Sequence, residues 1–499
     1  MTPGVEMLRI TQDFGPVKAL DEVDFRVAPN TIHALVGENG AGKTTLVKIL
    51  YGALQATDGT ILLNGEQVSF SNPQAAIQSG IGMVSQHYSI IPELTALQNL
   101  MLGAEPGFVI SKNAAIARAT ELANQMGLAF NWEEDCAQIS PAQAQKLEIL
   151  KLLWRNSKLM ILDEPTAMLS PADSDMLYEK LHTLVDQGAT VIVVTHRIPE
   201  VMQHCDDVTV LRGGKLIASK PVSNTNPNEL TELIVGHAIH VPEKIPAQPG
   251  DALLKVENLS VKGARGDEAI KKVSFELRAG EVTGLAGVDG NGQRELFHAL
   301  LGTVPIMSGS IALANRDVTH MPTKGRLAAG LRIVPEDRHA EAVIENWSIE
   351  ENAILGLQQL EPVKVGISVS HSAKRQIAEA VTTRFPTRFS HFSQSFSGLS
   401  GGNQQKVVTA RAFQLNPKVI LAFQPTRGID INVSAQVFQG LTEIARSGCA
   451  VLLVSFDIDE ILEHCDRILV INGGRIQEPE PHQAFDRNAI GSLMVGAHE

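Results

Sequence analysis

The stretch Gly37-Glu38-Asn39-Gly40-Ala41-Gly42-Lys43-Thr44-Thr45 carries the residue types that phosphate chemistry requires, at the spacing G-x-x-x-x-G-K-[ST]. Glycines at these positions let successive backbone N–H groups wrap a polyphosphate at a helix N-terminus. Lys43 adds a point charge for the β and γ oxygens, and the Thr44 hydroxyl is a hard oxygen ligand for Mg2+. An apolar run over 32–36 precedes the loop and a helical pattern over 45–51 follows it, which is the strand–loop–helix context the motif needs. A second apolar run over 159–162 ends in Asp163-Glu164-Pro165. Asp163 can hold Mg2+ through water, and Glu164 sits where it can polarise an attacking water. Two acids at a strand end also suit a solvated turn, but the phosphate loop upstream in the same unit favours chemistry.

The elements that must position these groups occur twice. Ile139-Ser140 matches Leu399-Ser400, Pro165-Thr166 matches Pro425-Thr426, and Cys205-Asp206 matches Cys465-Asp466, each at 260 residues (399 − 139 = 425 − 165 = 465 − 205 = 260). Gly37 matches Gly287 at 250 (287 − 37 = 250), so about ten residues were added between early and late motifs of the second half. The chain is a duplication. The segment Ala238-Ile-His-Val-Pro-Glu-Lys-Ile-Pro-Ala-Gln-Pro-Gly250 has three prolines and no periodicity, as a linker would. The expected division is therefore a first domain over 1–238, a linker over 239–250 and a second domain over 251–499. Within a half, the helical pattern over 171–188 has Ser170 as N-cap and Pro171 at its first position, and a β-branched run over 191–194 follows. This βαβ order predicts an α/β fold with a mainly parallel sheet.

In the second half the same positions have lost their chemistry. Gln293 replaces the lysine and Arg294 the metal-binding hydroxyl, while Phe423 and Gln424 stand where Asp163 and Glu164 stand in the first.

The stretch Leu399-Ser400-Gly401-Gly402-Asn403-Gln404-Gln405 is similar to the signature motif of ABC ATPases, and motifs in that family's order cover nearly the whole chain. The resemblance implies two tandem P-loop ABC ATPase domains, each with a mainly parallel sheet core plus antiparallel β and helical subdomains. It also implies roles for single residues. Gln86 is the Q-loop glutamine and a Mg2+ ligand beside Thr44 and Asp163, His196 is the switch histidine at the γ-phosphate, and Phe14 stacks on adenine. Without that context His196 and Phe14 would both read as core residues. In the second half Glu336 replaces the Q-loop glutamine and Phe456 the histidine, and the counterpart of Phe14 is expected near Ser260 or Val261.

The signatures reverse the pattern. Ser400-Gly401-Gly402 is intact, whereas Ile139-Ser140-Pro141-Ala142-Gln143 removes a backbone N–H and adds a Cβ where the backbone must approach phosphate. Members of the family sandwich ATP head to tail, pairing one domain's P-loop with the other's signature. By that resemblance one complete site joins residues 37–45, Gln86, Asp163, Glu164 and His196 to Ser400, Gly401, Gly402, Asn403 and Gln404, with Asp430 of the D-loop facing it. Ser170 replaces the aspartate in the first half.

A net charge of −13 makes the surface as a whole repel nucleic-acid backbones and anionic lipid. The longest apolar runs, over 191–194 and 450–454, are strand-sized, so no direct insertion into a membrane is expected. The beginning, MTPGVEMLRI, lacks a basic start and an apolar signal core. Four cysteines without C-x-x-C spacing suggest buried small hydrophobes rather than metal ligands. A short proline-rich linker, negative charge and one lost site favour an importer ATPase over a ribosome-associated tandem ABC factor, which usually has a long charged linker and two competent sites. The implied setting is the cytoplasmic face of the cell membrane, with two integral-membrane permease subunits and an extracytoplasmic solute-binding protein as partners. The stretches GVDGNGQREL, LSGGNQQK, QPTRGID and LLVSFDIDEI resemble the second domain of nucleoside-type ATPases related to simple-sugar importers. Typical sugar members keep an Asp-Glu pair where Phe423-Gln424 stands, which favours a nucleoside over ribose or galactose, with a riboflavin-like solute as alternative. Permease contact is expected after the Q-loop, at Tyr88, Ile90, Ile91 and Leu94, and in the second half at Val343, Ile344 and Trp347.

Overall fold

The computed structural model describes residues 4–496 except 16, 86–88, 105–110, 127, 140, 167–170, 237–245, 264–265, 428, 430, 481 and 483–484. The chain divides into two compact units, Met1–His240 and Val241–Glu499, and the division falls inside the proline-bearing segment.

Each unit is built from the same two sheets. In the first, six strands run in the order Lys215–Pro221, Asp207–Arg212, Ile32–Val36, Thr190–Val194, Leu159–Asp163, Ile81–Val84. All neighbours are parallel except the Lys215–Pro221 pairing. Ile32–Val36, Leu159–Asp163 and Thr190–Val194 are buried at every residue, because elements cover both faces of a parallel sheet and no face is left for polar alternation. A separate four-stranded antiparallel sheet of Val17–Val27, Val5–Phe14, Asp58–Leu63 and Glu66–Val68 shares an apolar cluster with it, in which Met7 and Phe25 join Leu35, Ile161 and Ile192. Helices Ala96–Met101, Lys112–Gln125 and Pro141–Trp154 enclose an apolar cluster that includes Trp132 and Trp154.

The second unit repeats this as Leu331–Val334, Val419–Phe423, Ala450–Ser455, Val282–Ala286, Arg467–Asn472, Arg475–Gln477, and as Glu268–Arg278, Ala252–Lys262, Ile306–Leu313, Arg316–Asp317. Among the described residues only the second unit has a further hairpin, Lys364–Val365 with Ser368–Val369. The hairpin accounts for much of the extra length. Asn99 and Asn352 occupy equivalent places 253 apart (352 − 99), whereas the next helices, Lys112–Gln125 and His371–Arg384, start 259 apart (371 − 112). Among the described residues no helix is long and apolar enough to cross a membrane.

The topology gathers the chemistry at one edge. Ile32–Val36, Thr190–Val194 and Leu159–Asp163 are parallel neighbours, so the residues after them, Gly37, His196 and Glu164, leave from the same carboxyl end of the sheet.

His33 tests the packing of this sheet. It is 2% exposed, its Nε2 lies 2.8 Å from Thr209 Oγ1, and its ring meets Phe25 edge-on at 5.3 Å. Burial pulls its pKa from 6.5 down to about 4. Between those values the unfolded chain binds a proton that the folded chain does not, so stability falls as the pH drops from 6.5 to about 4 and His33 adds nothing further below. The full effect is on the order of 3 kcal/mol. Urea unfolding of His33→Leu across this window should give a correspondingly shallower pH slope than the wild type; equal slopes would show that folding does not depress the pKa of His33.

Candidate nucleotide site

The phosphate loop takes its form from backbone that only glycine adopts cheaply. Gly42, the residue before the helix Lys43–Leu50, has φ 101°, and a Cβ there would lie 2.6 Å from Leu20 Cδ2 and 2.7 Å from the Ala19 carbonyl. Gly37, Glu38, Asn39, Gly40 and Ala41 lead into it, and Thr45 continues the helix. Lys43 is 7% exposed and its Nζ donates to the carbonyls of Gly37 at 2.7 Å and Glu38 at 3.0 Å. The ammonium is thus held at the loop's own centre, where it can exchange carbonyls for phosphate oxygens. Thr44 Oγ1 donates to Asp163 Oδ2 at 3.2 Å. Asp163 is 4% exposed; burial, and then the charge of Glu164, push its pKa up to about 6 against the opposing influence of Thr44 and Lys43. A hydroxyl and a desolvated carboxylate converging in this way form a hard oxygen set, and they fit Mg2+. Gln86, the third expected ligand, lies outside the described residues.

Glu164 sits one residue past the strand in the left-handed region, φ 51°, which costs a non-glycine residue about 1–3 kcal/mol. Its N–H donates to the Val194 carbonyl at 2.8 Å, and its Oε1 lies 3.1 Å from His196 Nδ1. The turn and the neighbouring strand therefore aim the carboxylate and hold an imidazole against it. Gln424 keeps the same turn, φ 46°, with its N–H on the Val454 carbonyl at 2.8 Å, so the second unit retains the geometry after losing the acid. Phe14 ends the strand Val5–Phe14 and is half exposed, as a ring that stacks on a ligand would be. The expected counterpart of Phe14 requires correction. Gln12 pairs with Leu20 and Val261 with Ile270, which places Gly263 opposite Phe14 in the repeat, while Ser260 and Val261 are buried.

In the second unit Ser400 caps the helix Gly401–Ala412, its Oγ accepting from the Asn403 N–H at 3.4 Å. Gly401 and Gly402 form the first turn. The Gln404 side chain departs from expectation: it is 4% exposed and donates to the carbonyls of Phe396 and Leu399, each at 3.3 Å, so it serves its own domain's fold. Ser140, Ser170 and Asp430 lie outside the described residues. Asn403 keeps its amide at the surface beside Arg388, whose N–H it accepts at 3.4 Å.

Where the first unit has its metal and water groups, the second carries different side chains, and Arg294, Phe297, Glu336, Phe423 and Arg427 line an open cavity there. Gln293 is 2% exposed and donates to the Val288 carbonyl at 3.0 Å, folding back as Lys43 does but without charge. Arg294 forks onto Glu336 at 2.8 and 2.9 Å and reaches Asp289 at 2.6 Å. Phe423 packs edge-on to Phe297 at 5.5 Å and to Phe456 at 5.9 Å. No oxygen pair equivalent to Thr44 and Asp163 remains there, and the residues do not fit a metal.

The ABC transporter family model matches residues 20–167 and 270–427, more than half of the chain in two blocks. The chain belongs to the ABC transporter family. It is an ABC ATPase with two fused cassettes. Similar chains include the nucleoside import ATP-binding protein NupA of Lactococcus lactis subsp. cremoris, 36% identical over 99% of this chain and 98% of that protein. The guanosine import ATP-binding protein NupO of Bacillus subtilis is 37% identical over 99% and 97%, and the ribose import ATP-binding protein RbsA of Geobacillus kaustophilus is 33% identical over 99% and 100%.

Two positioning features of these cassettes escaped motif reading. Gln405 Nε2 donates to the Pro425 carbonyl at 2.6 Å and Gln145 Nε2 to that of Pro165, tying each signature helix to the turn that carries position 424 or 164. Asn99 and Asn352, both fully buried, bond the backbone N–H and C=O of Ile91 and Ile344 respectively, at 2.9–3.0 Å. Gln145 and Gln405 keep the 260-residue offset, and that signal would have found them; Asn99 and Asn352 lie 253 apart (352 − 99 = 253), between the offsets of the early and late motifs, and only the fold pairs them. Ile91 and Ile344 are each 38% exposed and Trp347 43%, whereas Val343 is buried; Tyr88 lies outside the described residues.

Proposed function

We propose that this chain is the ATP-binding subunit of an ABC importer that hydrolyses ATP at one composite site and drives uptake of a small polar solute, a nucleoside. The observation that carries the single-site reading is the sorted chemistry: Thr44 with Asp163 and Glu164 with His196 in the first cassette, Arg294 with Glu336 and Phe423 with Phe456 in the second. Loss without selection would not spare one P-loop and the other cassette's signature together. In this site the backbone of 37–45 and Lys43 bind the phosphates, and Phe14 takes the adenine. Thr44, Asp163 and Gln86 would hold Mg2+, which supplies charge neutralisation on the phosphate oxygens. Glu164 accepts the proton of the attacking water, His196 holds that carboxylate and meets the γ-phosphate, and Ser400, Gly401, Gly402, Asn403 and the backbone of Gln404 close the site with Asp430. The nucleoside assignment is supported by the import proteins NupA and NupO and by Phe423-Gln424; RbsA keeps a simple sugar as the second reading. The partners are two permease subunits and an extracytoplasmic binding protein, and the chain works at the cytoplasmic face of the membrane. Uptake by vesicles carrying this ATPase with its cognate permeases and binding protein should be ATP-dependent for nucleosides and absent for ribose and galactose; the reverse preference would overturn the nucleoside reading.

Gln293→Lys should restore no second turnover, because Arg294, Phe423, Gln424 and Phe456 would still exclude metal, base and histidine, and groups that act as a unit are not additive. Counting trapped nucleotide per chain checks this: one hydrolysed per cycle is expected, and two at similar rates would contradict the asymmetric site.

A further inference from the structure

We propose that the guanidinium of Arg294 is a built-in cation that clamps the segment beginning at Glu336 to the phosphate-loop helix of the second cassette in every nucleotide state. The contrast with the first cassette rests on reading that cassette as the hydrolytic one. Arg294 lies in the first turn of the helix Gln293–Leu301 and spends its fork on both oxygens of Glu336, at 2.8 and 2.9 Å, with a third bond to Asp289 at 2.6 Å. Arg427 donates to Glu336 from another side. Planar two-point contacts of this kind are the strongest and most directional of protein ion pairs, and here the carboxylate is the sheltered partner: the Glu336 side chain is 13% exposed and that of Arg294 42%. Behind it stands an aromatic wall. Phe456 lies 5.8 Å from the guanidinium and packs on Phe423, itself 1% exposed. Burial alone would lower the pKa of Arg294, but Glu336 and Asp289 outweigh it and hold the group above its ordinary value. In the first cassette the corresponding residue, Thr44, is a short hydroxyl bonded to Asp163, with no charge of its own to hold a partner.

The clamped segment leads to an apolar surface. Glu336 follows the strand Leu331–Val334, and Asp337 then caps the helix Arg338–Glu341 by accepting from the N–H groups of His339 and Ala340 at 2.9 and 3.1 Å. The segment ends at exposed Ile344 and Trp347, whose backbone is bonded to buried Asn352. Fixed at Glu336 by Arg294 and at Ile344 by Asn352, the stretch between is held at both ends without nucleotide or metal. The second cassette is thus a fixed support, and the first is the half that responds to ATP.

Hydrogen exchange on the full-length chain tests this, with Mg2+ and a non-hydrolysable ATP analogue as the probe. In the wild type, peptides over 37–50 should gain protection with nucleotide while those over 331–347 change less than twofold. Arg294→Thr and Glu336→Gln should each speed exchange over 331–347 at least tenfold, with or without nucleotide, and Arg294→Lys should fall between because it keeps charge but loses the fork. Glu336→Gln is nearly isosteric and reads the same contact where Arg294→Thr fails to fold. Nucleotide-dependent protection over 331–347 equal to that over 37–50, or unchanged exchange in both variants, would overturn the clamp. A silent 37–50 with a variant-sensitive 331–347 would uphold the clamp and overturn the assignment of hydrolysis to the first cassette.

Discussion

Glu164→Gln is expected to leave ATP binding largely intact and to lower turnover by about 10²–10⁴, the usual contribution of a positioned general base. The substitution keeps size and shape, and the left-handed turn tolerates it, since Gln424 already occupies the same turn in the second cassette at φ 46° against 51° for Glu164. The contact with His196 at 3.1 Å can also survive as a hydrogen bond to an amide. What disappears is the capacity to take a proton from water. Steady-state ATPase measured with permeases present, beside nucleotide binding, separates the two: tight binding with turnover within twofold of wild type would show that Glu164 is not the base.

Most of the architecture can be read from the chain because the signals are local and doubled. A run such as 159–162 followed by Asp163 and Glu164 is apolar at every position only because a parallel strand is covered on both faces, and it appears as Leu159–Asp163, buried throughout. The subtraction that pairs Pro165 with Pro425 also pairs Gln145 with Gln405, which bond those same prolines' carbonyls. Side-chain direction is less legible. Gln404 stands in the signature motif yet turns inward to Phe396 and Leu399, a choice set by helix phase and the Ser400 cap. Glu336 and Arg294 read separately as two lost functions, 42 residues apart; only the fold brings them within 2.8 Å and shows that the two replacements pair with each other. The strand Ala252–Lys262 repeats the irregular pairing of Val5–Phe14 at a constant offset of 249 (261 − 12 = 249), so strand register, which motif spacing does not record, is what sets Gly263 at the place of Phe14.

On the proposed reading the first cassette's P-loop works with the second cassette's signature, and Gly402→Asp should therefore abolish hydrolysis about as completely as Lys43→Ala. Gly402 lies in the first turn of the helix Gly401–Ala412, directly after the Ser400 cap. At such a place glycine lets a backbone N–H come close to phosphate, and aspartate would set bulk and a negative charge against a polyanion in a partly desolvated site. The corresponding change in the first cassette, Ala142→Asp, adds the same charge to a signature already broken by Pro141, which the proposed reading pairs with a phosphate loop that has lost its lysine and its metal groups. The decisive measurement is the ATPase rate of these two variants beside Lys43→Ala, each first shown by its thermal midpoint to be folded. Gly402→Asp should fall to the level of Lys43→Ala while Ala142→Asp keeps most of its activity; equal losses in the two signature variants, or the greater loss in Ala142→Asp, would contradict the composite site.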